Sequence, residues 1–165
     1  MRGDEAPLCL SDMAVTDLDA VLAVEHLAYA VPWTRGNFID SLAAGHSAVL
    51  LTGARREPIG YFVAMDGVDE LHLLNLTVHP DHQGRGHARF LLDELVRLAR
   101  HKRACEIWLE VRDSNQRAKA LYLRYGFSAV GLRRGYYPLP PGVAGREDAA
   151  VMSFKLPQGD AHGLE

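Results

Sequence analysis

Two side chains in the second half of the chain have the chemistry needed to move protons around a ligand. Glu110 lies near the end of the alternating segment CEIWLEVR, and Tyr122 lies twelve residues further on, in a segment with helical spacing. A carboxylate and a phenol beside one ligand can act as general base and general acid. Each also has a plainer interpretation. Glu110 could be a solvated charge paired with Arg112, and Tyr122 could belong to the apolar stripe of a helix, which is usually core.

A glycine-bearing turn earlier in the chain indicates a site for an anion. The segment LNLTVHPDHQGRGHARFLL passes from a strand-like run through Gly84 and Gly86 into a leucine-rich run with helical spacing. Small residues there let the backbone approach a ligand, and the N-terminus of a helix favours negative charge. The turn lacks the Lys-Ser/Thr pair of a P-loop and the third glycine of a dinucleotide-binding fingerprint. An ordinary loop remains the alternative at this point.

Other polar residues near these segments have simpler expected roles. His79, His82 and His87 have no carboxylate or cysteine at metal-ligand spacing, so we expect a solvated loop and no metal. Asn115 is placed to cap the helix that follows it, and this role is favoured over a ligand contact from the residues alone. Arg85 and Arg89 add positive charge beside the glycines.

The bulk properties are those of a globular domain. The 165 residues are 48% hydrophobic and 24% charged, with a net charge of −3, which argues against non-specific nucleic-acid binding. No apolar run approaches the roughly 20 residues needed to cross a bilayer, and MRGDEAPLCL lacks the apolar core of a secretory signal. We therefore expect a cytoplasmic protein without direct membrane or nucleic-acid partners. Cys9 and Cys105 lie in apolar runs, which favours buried, reduced thiols.

Periodicity predicts one strand, two helices, three strands, a helix, a strand, a helix and two strands. Thr16 and Thr34 are candidate caps of the first two helices, and Gly126 is a candidate end of the fourth. The step from LNLTV to IWLEV is long enough for a parallel βαβ crossover. The predicted fold is therefore α/β, in the mixed α+β sense, with a mostly antiparallel sheet of about seven strands and about four helices. A single domain over residues 8–156 is expected, between a loose N-terminus (1–7) and a flexible tail (157–165).

Together the segments resemble the GNAT superfamily of N-acetyltransferases. LTVHPDHQGRGHARFLLDELV is similar to its acetyl-CoA motif, V-x-P-x-x-Q-x-x-G-x-[GA] followed by a helix, and LEVRDSNQRAKALYLRYGF is similar to the strand and helix that come next. VPWT, LNLTV, LEVR, RRGYYP and GREDAAVM resemble, in the same order, the RimI type of this superfamily. The resemblance covers about residues 8–156 and implies the GNAT fold.

The resemblance also implies how a cofactor would be held. Acetyl-CoA would be the cosubstrate, and no metal would be needed. The backbone of Leu76, Thr77 and Val78 would contact acetyl-CoA, and Asn115 would contact its pantetheine arm. The residues that would bind its pyrophosphate are Gln83, Gly84, Arg85, Gly86, His87 and Ala88.

The resemblance further implies the reaction. RimI-type enzymes acetylate the N-terminal alanine of a small-subunit ribosomal protein, and Glu110 and Tyr122 match their general base and the acid that protonates the leaving thiolate. Direct transfer in a ternary complex is expected. The residues that would frame the acceptor are Pro32, Trp33, Arg134, Tyr136 and Tyr137. One departure is the proline-rich loop PLPPGVAG, which is longer than the RimI pattern and leaves the exact protein substrate open.

Acid–base chemistry favours an α-amine as acceptor. Its pKa is about 7.7–8.0, against about 10.4 for lysine, so its deprotonation costs roughly 3.5 kcal/mol less. Two alternatives remain: a GNAT enzyme that acts on lysine or a small amine, and a CoA-binding module without catalysis.

Overall fold

The computed structural model describes residues 7–157, so nearly all of the two terminal segments predicted to be loose lies outside the described residues. The elements follow the predicted order. The strands are β1 (Cys9–Asp12), β2 (Ser47–Thr52), β3 (Pro58–Asp66), β4 (Glu70–Val78), β5 (Glu106–Arg112), β6 (Ser128–Pro138) and β7 (Arg146–Lys155). The helices are α1 (Leu18–Ala28), α2 (Arg35–Ala43), α3 (His87–His101) and α4 (Gln116–Tyr125). None of these helices is long and apolar enough to cross a membrane.

One sheet contains all seven strands, in the order β1-β2-β3-β4-β5-β7-β6. Every neighbouring pair is antiparallel except β4 and β5, which are parallel. A parallel pair needs a long crossover, and α3 supplies it. The predicted mixed, mostly antiparallel sheet with one parallel step is therefore confirmed.

The helices cover the sheet from two sides and form two cores. On one face, Leu91, Leu92, Leu95 and Ala99 of α3 are fully buried against the sheet, as their helical spacing predicts. On the other face, α1 and α2 pack over β2 and β3, where the aromatic ring of Phe38 is buried. The sheet is thereby fixed from both sides around β3 and β4.

Local signals explain two helix boundaries and fail at a third. Thr34 caps α2, since its hydroxyl accepts a hydrogen bond from the backbone N–H of Asn37. α4 ends at Gly126, whose φ of 126° suits glycine. The predicted cap at Thr16 is wrong, because the carboxylate of Asp17 binds the backbone N–H of Ala14 and starts a turn of 3-10 helix before α1.

The two cysteines are both exposed, so the prediction of buried thiols is wrong. Cys9 lies on β1 at the edge of the sheet. Cys105 lies one residue before β5, where its backbone is tied to Asp69 and Leu156 at the rim of the sheet. Apolar neighbours in the sequence therefore did not predict burial correctly, because both cysteines lie at the margin of the sheet.

β4 contains an irregularity that shapes the centre of the molecule. Val63 pairs with Asn75 and the next residue, Ala64, pairs with Leu73, so Leu74 is an extra residue in β4. Such a bulge bends the strand and reverses the faces of the residues after it. Pairing of β4 with β5 runs from Glu70 opposite Glu106 to Leu73 opposite Leu109 and stops there. Beyond that point the two strands diverge and leave a gap.

Candidate active site

Two cavities open into the gap between β4 and β5. The first, of about 430 Å³, lies between the end of β4, the glycine turn and α4, and we call it the turn cavity. The second, of about 340 Å³, lies between α1, the α1–α2 loop and the end of β5, and we call it the carboxylate cavity after Glu110. Ligands of parallel α/β units bind at this edge, beyond the carboxyl ends of the strands.

The turn cavity is built from the residues that the anion motif predicts. Gly84 and Gly86 have φ values of 76° and 83°, which suit glycine, and Gly86 immediately precedes α3. The side-chain amide of Gln83 donates to the carbonyl of Val78 at 3.1 Å and holds the turn against the end of β4. The predicted residues that line the cavity are Leu76, Thr77, Val78, Gln83, Gly84, Gly86, His87, Ala88 and Asn115.

Three arginines add positive charge to the turn cavity. Arg89 on α3 and Arg117 and Arg124 on α4 line it, whereas Arg85 is exposed on the turn and lies outside the lining. Arg117 and Arg124 were missed by the sequence analysis, although the spacing of 117, 121 and 124 puts them on one helical face with Leu121. Together with the N-terminus of α3, they make the cavity suitable for a polyanionic ligand.

Glu110 lines the carboxylate cavity and is not a solvated surface charge. Its side chain is 6% exposed, with Arg133 Nε at 3.2 Å from one carboxylate oxygen and His72 Nε2 at 4.0 Å from the other. The alternative pairing with Arg112 is wrong, because Arg112 binds Glu147 at 2.9 Å. His72 stacks on Trp108 with ring centroids 3.5 Å apart, and burial lowers the pKa of His72. The carboxylate is thus held between a cation and an aromatic stack.

Tyr122 belongs both to the core and to the site. Its residue is 7% exposed and its ring packs edge-on against Phe127, as the helical stripe predicts. It also lines both cavities, so it lies at the boundary between them. Among residues 7–157 its phenol has no hydrogen-bond partner, and burial raises its pKa. The phenol therefore stays protonated at neutral pH.

The predicted acceptor residues divide into two groups. Pro32, Trp33 and Tyr137 line the carboxylate cavity. Arg134 and Tyr136 are exposed and lie outside its lining, although Tyr136 faces Glu110, which raises the pKa of Tyr136 chiefly through a side-chain hydrogen bond. The structure therefore brings only part of this predicted group together.

The base of the proline-rich loop is clamped to the end of β5. Arg112 donates to the carbonyl of Pro138 at 2.8 Å, and its guanidinium lies over the ring of Tyr137 at 4.6 Å. Glu147 binds the same guanidinium and accepts a hydrogen bond from the backbone N–H of Ser114. The clamp places Tyr137 and Pro138 in the wall of the carboxylate cavity.

A buried polar network beneath the cavities was missed by the sequence analysis. Glu25 on α1 is 1% exposed and accepts hydrogen bonds from Tyr61, from the side-chain amide of Asn75 and from the backbone N–H of Trp33. Burial raises the pKa of Glu25. The available signal was a glutamate four residues after Val21, on the apolar side of α1. The network fixes the loop that carries Trp33 onto the sheet.

The histidines of the turn have contacts within the turn and its cavity. His79 accepts a hydrogen bond from the backbone N–H of Asp81, and His82 lines the turn cavity. Residues 7–157 contain no group of three or more His, Cys, Asp or Glu that could hold a metal ion.

Comparison with known proteins agrees with this geometry. The model of the acetyltransferase (GNAT) family matches residues 18–127. The chain belongs to the GNAT family of acetyltransferases. The predicted family and the GNAT fold are therefore confirmed.

Within the GNAT family, the chain is similar to alanine N-acetyltransferases of ribosomal protein bS18. The Haemophilus influenzae enzyme is 33% identical over 147 residues, which are 89% of this chain and 98% of that protein. The crystal structure of the ribosomal-protein-S18-alanine N-acetyltransferase from Escherichia coli superposes on this chain with a TM-score of 0.83 and 31% sequence identity. The match covers 96% of this chain and 100% of the Escherichia coli chain. The fold is also shared with the PaiA N-acetyltransferase of Thermoplasma acidophilum, whose crystal structure was solved with coenzyme A. That match has a TM-score of 0.72 and 15% sequence identity, over 91% of this chain and 99% of the PaiA chain.

Asn115 has a structural role that can be tested separately from any ligand. Its side-chain oxygen accepts a hydrogen bond from the backbone N–H of Ala118 at 3.1 Å, so it caps α4, the helix that carries Tyr122. We expect Asn115→Ala to lower the free energy of unfolding by about 1 kcal/mol, because an N-cap acceptor is lost. Asn115→Ser, which keeps an acceptor, should stay within about 0.5 kcal/mol of the wild type. Urea denaturation of both variants measures this, and equal losses would contradict the capping role.

Proposed function

We propose that the protein is an acetyl-CoA-dependent N-α-acetyltransferase that acetylates the N-terminal alanine of a small-subunit ribosomal protein. Relatives with this named activity match most of the chain at about one-third identity. The observation that carries the proposal is that Tyr122 lines both a cationic cavity and a cavity that contains Glu110. Such an arrangement suits a reaction in which an anionic donor and an amine acceptor meet at one point.

Acetyl-CoA would occupy the turn cavity. Its pyrophosphate would lie against Gln83–Ala88 and the N-terminus of α3, with Arg89, Arg117 and Arg124 nearby. The pantetheine arm would pass Asn115 and follow Leu76–Val78 along the edge of β4 that has no β5 partner. Backbone N–H groups of this edge can bind the thioester oxygen as negative charge develops on it.

The acceptor amine would approach from the carboxylate cavity. Glu110, oriented by Arg133, would remove its proton, directly or through a water molecule. The neutral nitrogen then forms a bond to the thioester carbon and releases its second proton to solvent, and the bond from that carbon to sulfur breaks. Tyr122 would donate its proton to the departing sulfur, and a proton from solvent would restore the phenol. The donor is already an activated acyl compound, so no acyl-enzyme is needed.

The proposed partners are therefore acetyl-CoA and the N-terminus of a protein. Pro32, Trp33 and Tyr137 would contact the first residues of that protein, and Arg134 and Tyr136 would contact residues further from its N-terminus. We propose that the enzyme acts in the cytoplasm, because that is where a bacterial ribosomal protein is available to it.

The decisive test is an acceptor series. Thiol release from acetyl-CoA would be measured with peptides that differ only in their first residue, and with one N-terminally blocked peptide that carries lysine. We expect the free N-terminal alanine peptide to react fastest and the blocked peptide not to react, because a lysine amine costs about 3.5 kcal/mol more to deprotonate. Reaction of only the blocked peptide would replace the proposal with a lysine acetyltransferase. Binding of acetyl-CoA without any acetylation would indicate a non-catalytic CoA-binding module.

Tyr122→Phe tests the proposed acid. We expect kcat to fall by about 10²–10⁴, the usual contribution of general acid–base catalysis, with little change in acetyl-CoA affinity. Folding should be nearly unaffected, since no described residue loses a hydrogen bond to this phenol. Tyr125→Phe is the matched control on the same helix, because its hydroxyl binds Asp93 outside both cavities. Near-normal turnover of Tyr122→Phe would eliminate the assigned role.

Glu110→Gln tests the proposed base. The variant should lose most activity at low pH, where the acceptor amine is protonated, and recover part of it as pH rises past about 8. Glu106→Gln, on the same face of β5 and paired with Lys155, is the matched control. The measurement is kcat/KM against pH for each protein. A Glu110→Gln profile with the shape of the wild-type profile would argue against a base at this position.

A further inference from the structure

The residues shared by the two cavities define where an acyl group must lie. Five residues line both: Tyr29, Leu76, Asn115, Ala118 and Tyr122. In the proposed function, on which this step rests, the acyl carbon is bonded to sulfur on the turn-cavity side and is attacked by nitrogen from the carboxylate cavity. The acyl group would therefore lie at the junction, by which we mean the space between the two cavities that these five residues line.

Neither the family motif nor the proposed mechanism gives a role to Tyr29. It follows α1, in the loop that leads to Trp33, and its ring is half-buried. Leu76 contributes backbone at the cofactor edge, Asn115 caps α4 and Tyr122 is the proposed acid. Ala118 is small. Tyr29 is thus the one bulky wall of the junction whose side chain has no assigned function.

The hydroxyl of Tyr29 is tied to β4 at two points. It donates to the carbonyl of Leu76, at 3.1 Å, and lies 2.9 Å from the hydroxyl oxygen of Thr77. Thr77 donates its own proton to Asn75 at 2.7 Å, so the single proton of Tyr29 is shared between two acceptors, the Leu76 carbonyl and the Thr77 hydroxyl. Burial raises the pKa of Tyr29 to about 12, so the phenol stays neutral at physiological pH.

The network below makes this wall rigid. Thr77 and Asn75 are buried, and Asn75 in turn donates to Glu25. Rotation of the Tyr29 ring away from the junction would leave the buried hydroxyl of Thr77 with one partner fewer, which is unfavourable. The ring therefore keeps its place beside Leu76 when ligands of different size enter.

We propose that Tyr29 is a specificity-determining residue that limits the transferred acyl group to two carbons. The ring occupies the space that a third carbon would need at the junction. An enzyme pocket typically discriminates between substrates that differ by one methylene by roughly 10- to 200-fold in kcat/KM. Tyr29 would thus select acetyl-CoA over longer acyl-CoA donors without taking part in the proton transfers of the reaction.

The test compares acetyl-CoA, propionyl-CoA and butyryl-CoA as donors to one peptide with a free N-terminal alanine. For the wild type we expect kcat/KM with propionyl-CoA to be at least about tenfold below that with acetyl-CoA. Tyr29→Ala should raise the propionyl/acetyl ratio at least about tenfold. Tyr29→Phe keeps the ring but loses the hydroxyl bonds to β4, so its ratio should lie closer to that of the wild type than to that of Tyr29→Ala.

Leu27→Ala is the matched control, because Leu27 lies on α1 two residues before Tyr29 with its side chain exposed. Its donor ratio should equal that of the wild type. Should Tyr29→Ala fail to fold, as judged by its melting temperature, Tyr29→Leu is the replacement and should still admit propionyl-CoA. A folded variant with the wild-type ratio overturns the proposal, and so does a wild type that uses both donors equally well.

The relative affinity for the donors separates this inference from the proposed function. Calorimetric titration with propionyl-CoA and acetyl-CoA needs no acceptor. If the wild type acetylates none of the peptides, the proposed function fails, yet Tyr29→Ala should still gain affinity for propionyl-CoA relative to acetyl-CoA. An unchanged affinity ratio would overturn the role of Tyr29 whatever the acceptor is.

Discussion

The parallel pairing of β4 and β5 stops after Leu73 and Leu109, and the remainder of the site depends on this interruption. The extra residue at Leu74 bends β4, so its last residues cannot continue the ladder with β5. The gap leaves backbone groups of one strand available to a ligand and lets a carboxylate on the other strand face the same space. An uninterrupted ladder would bury that edge and close the gap into which both cavities open.

Strong packing on both sides makes the gap possible. The buried side of α3 holds the sheet from one face, and α1 holds it from the other through Glu25, whose burial is tolerated because its oxygens accept several hydrogen bonds. The same network fixes Trp33 in the wall of the carboxylate cavity and, through Thr77, the ring of Tyr29 at the junction. The packing of α1 and α3 against the sheet therefore keeps the cavity walls rigid while β4 and β5 stay apart.

Sequence periodicity predicted the order of the elements because burial patterns of helices and strands depend on neighbouring residues. The glycine turn could also be predicted from the sequence, because the positive φ angles at Gly84 and Gly86 are a local requirement that favours glycine. The bulge at Leu74 was not predicted, because ELHLLNLTV reads as a continuous strand and only pairing with β3 reveals the extra residue. The partner of Glu110 could not be predicted from the sequence either. Arg133 lies 23 positions away and comes close to Glu110 only because of the position of β6 in the sheet.

The most direct test of the account is a crystal structure with a bisubstrate analogue, in which the sulfur of coenzyme A is joined through an acetyl linker to the α-amine of an alanine peptide. We expect the pantetheine arm to follow Leu76–Val78 in the gap between β4 and β5. We expect the linker to lie between Tyr29 and Tyr122, with the first peptide residue beside Glu110. A linker bound outside the gap, or a peptide that runs along the α3 face of the sheet, would contradict the proposed arrangement.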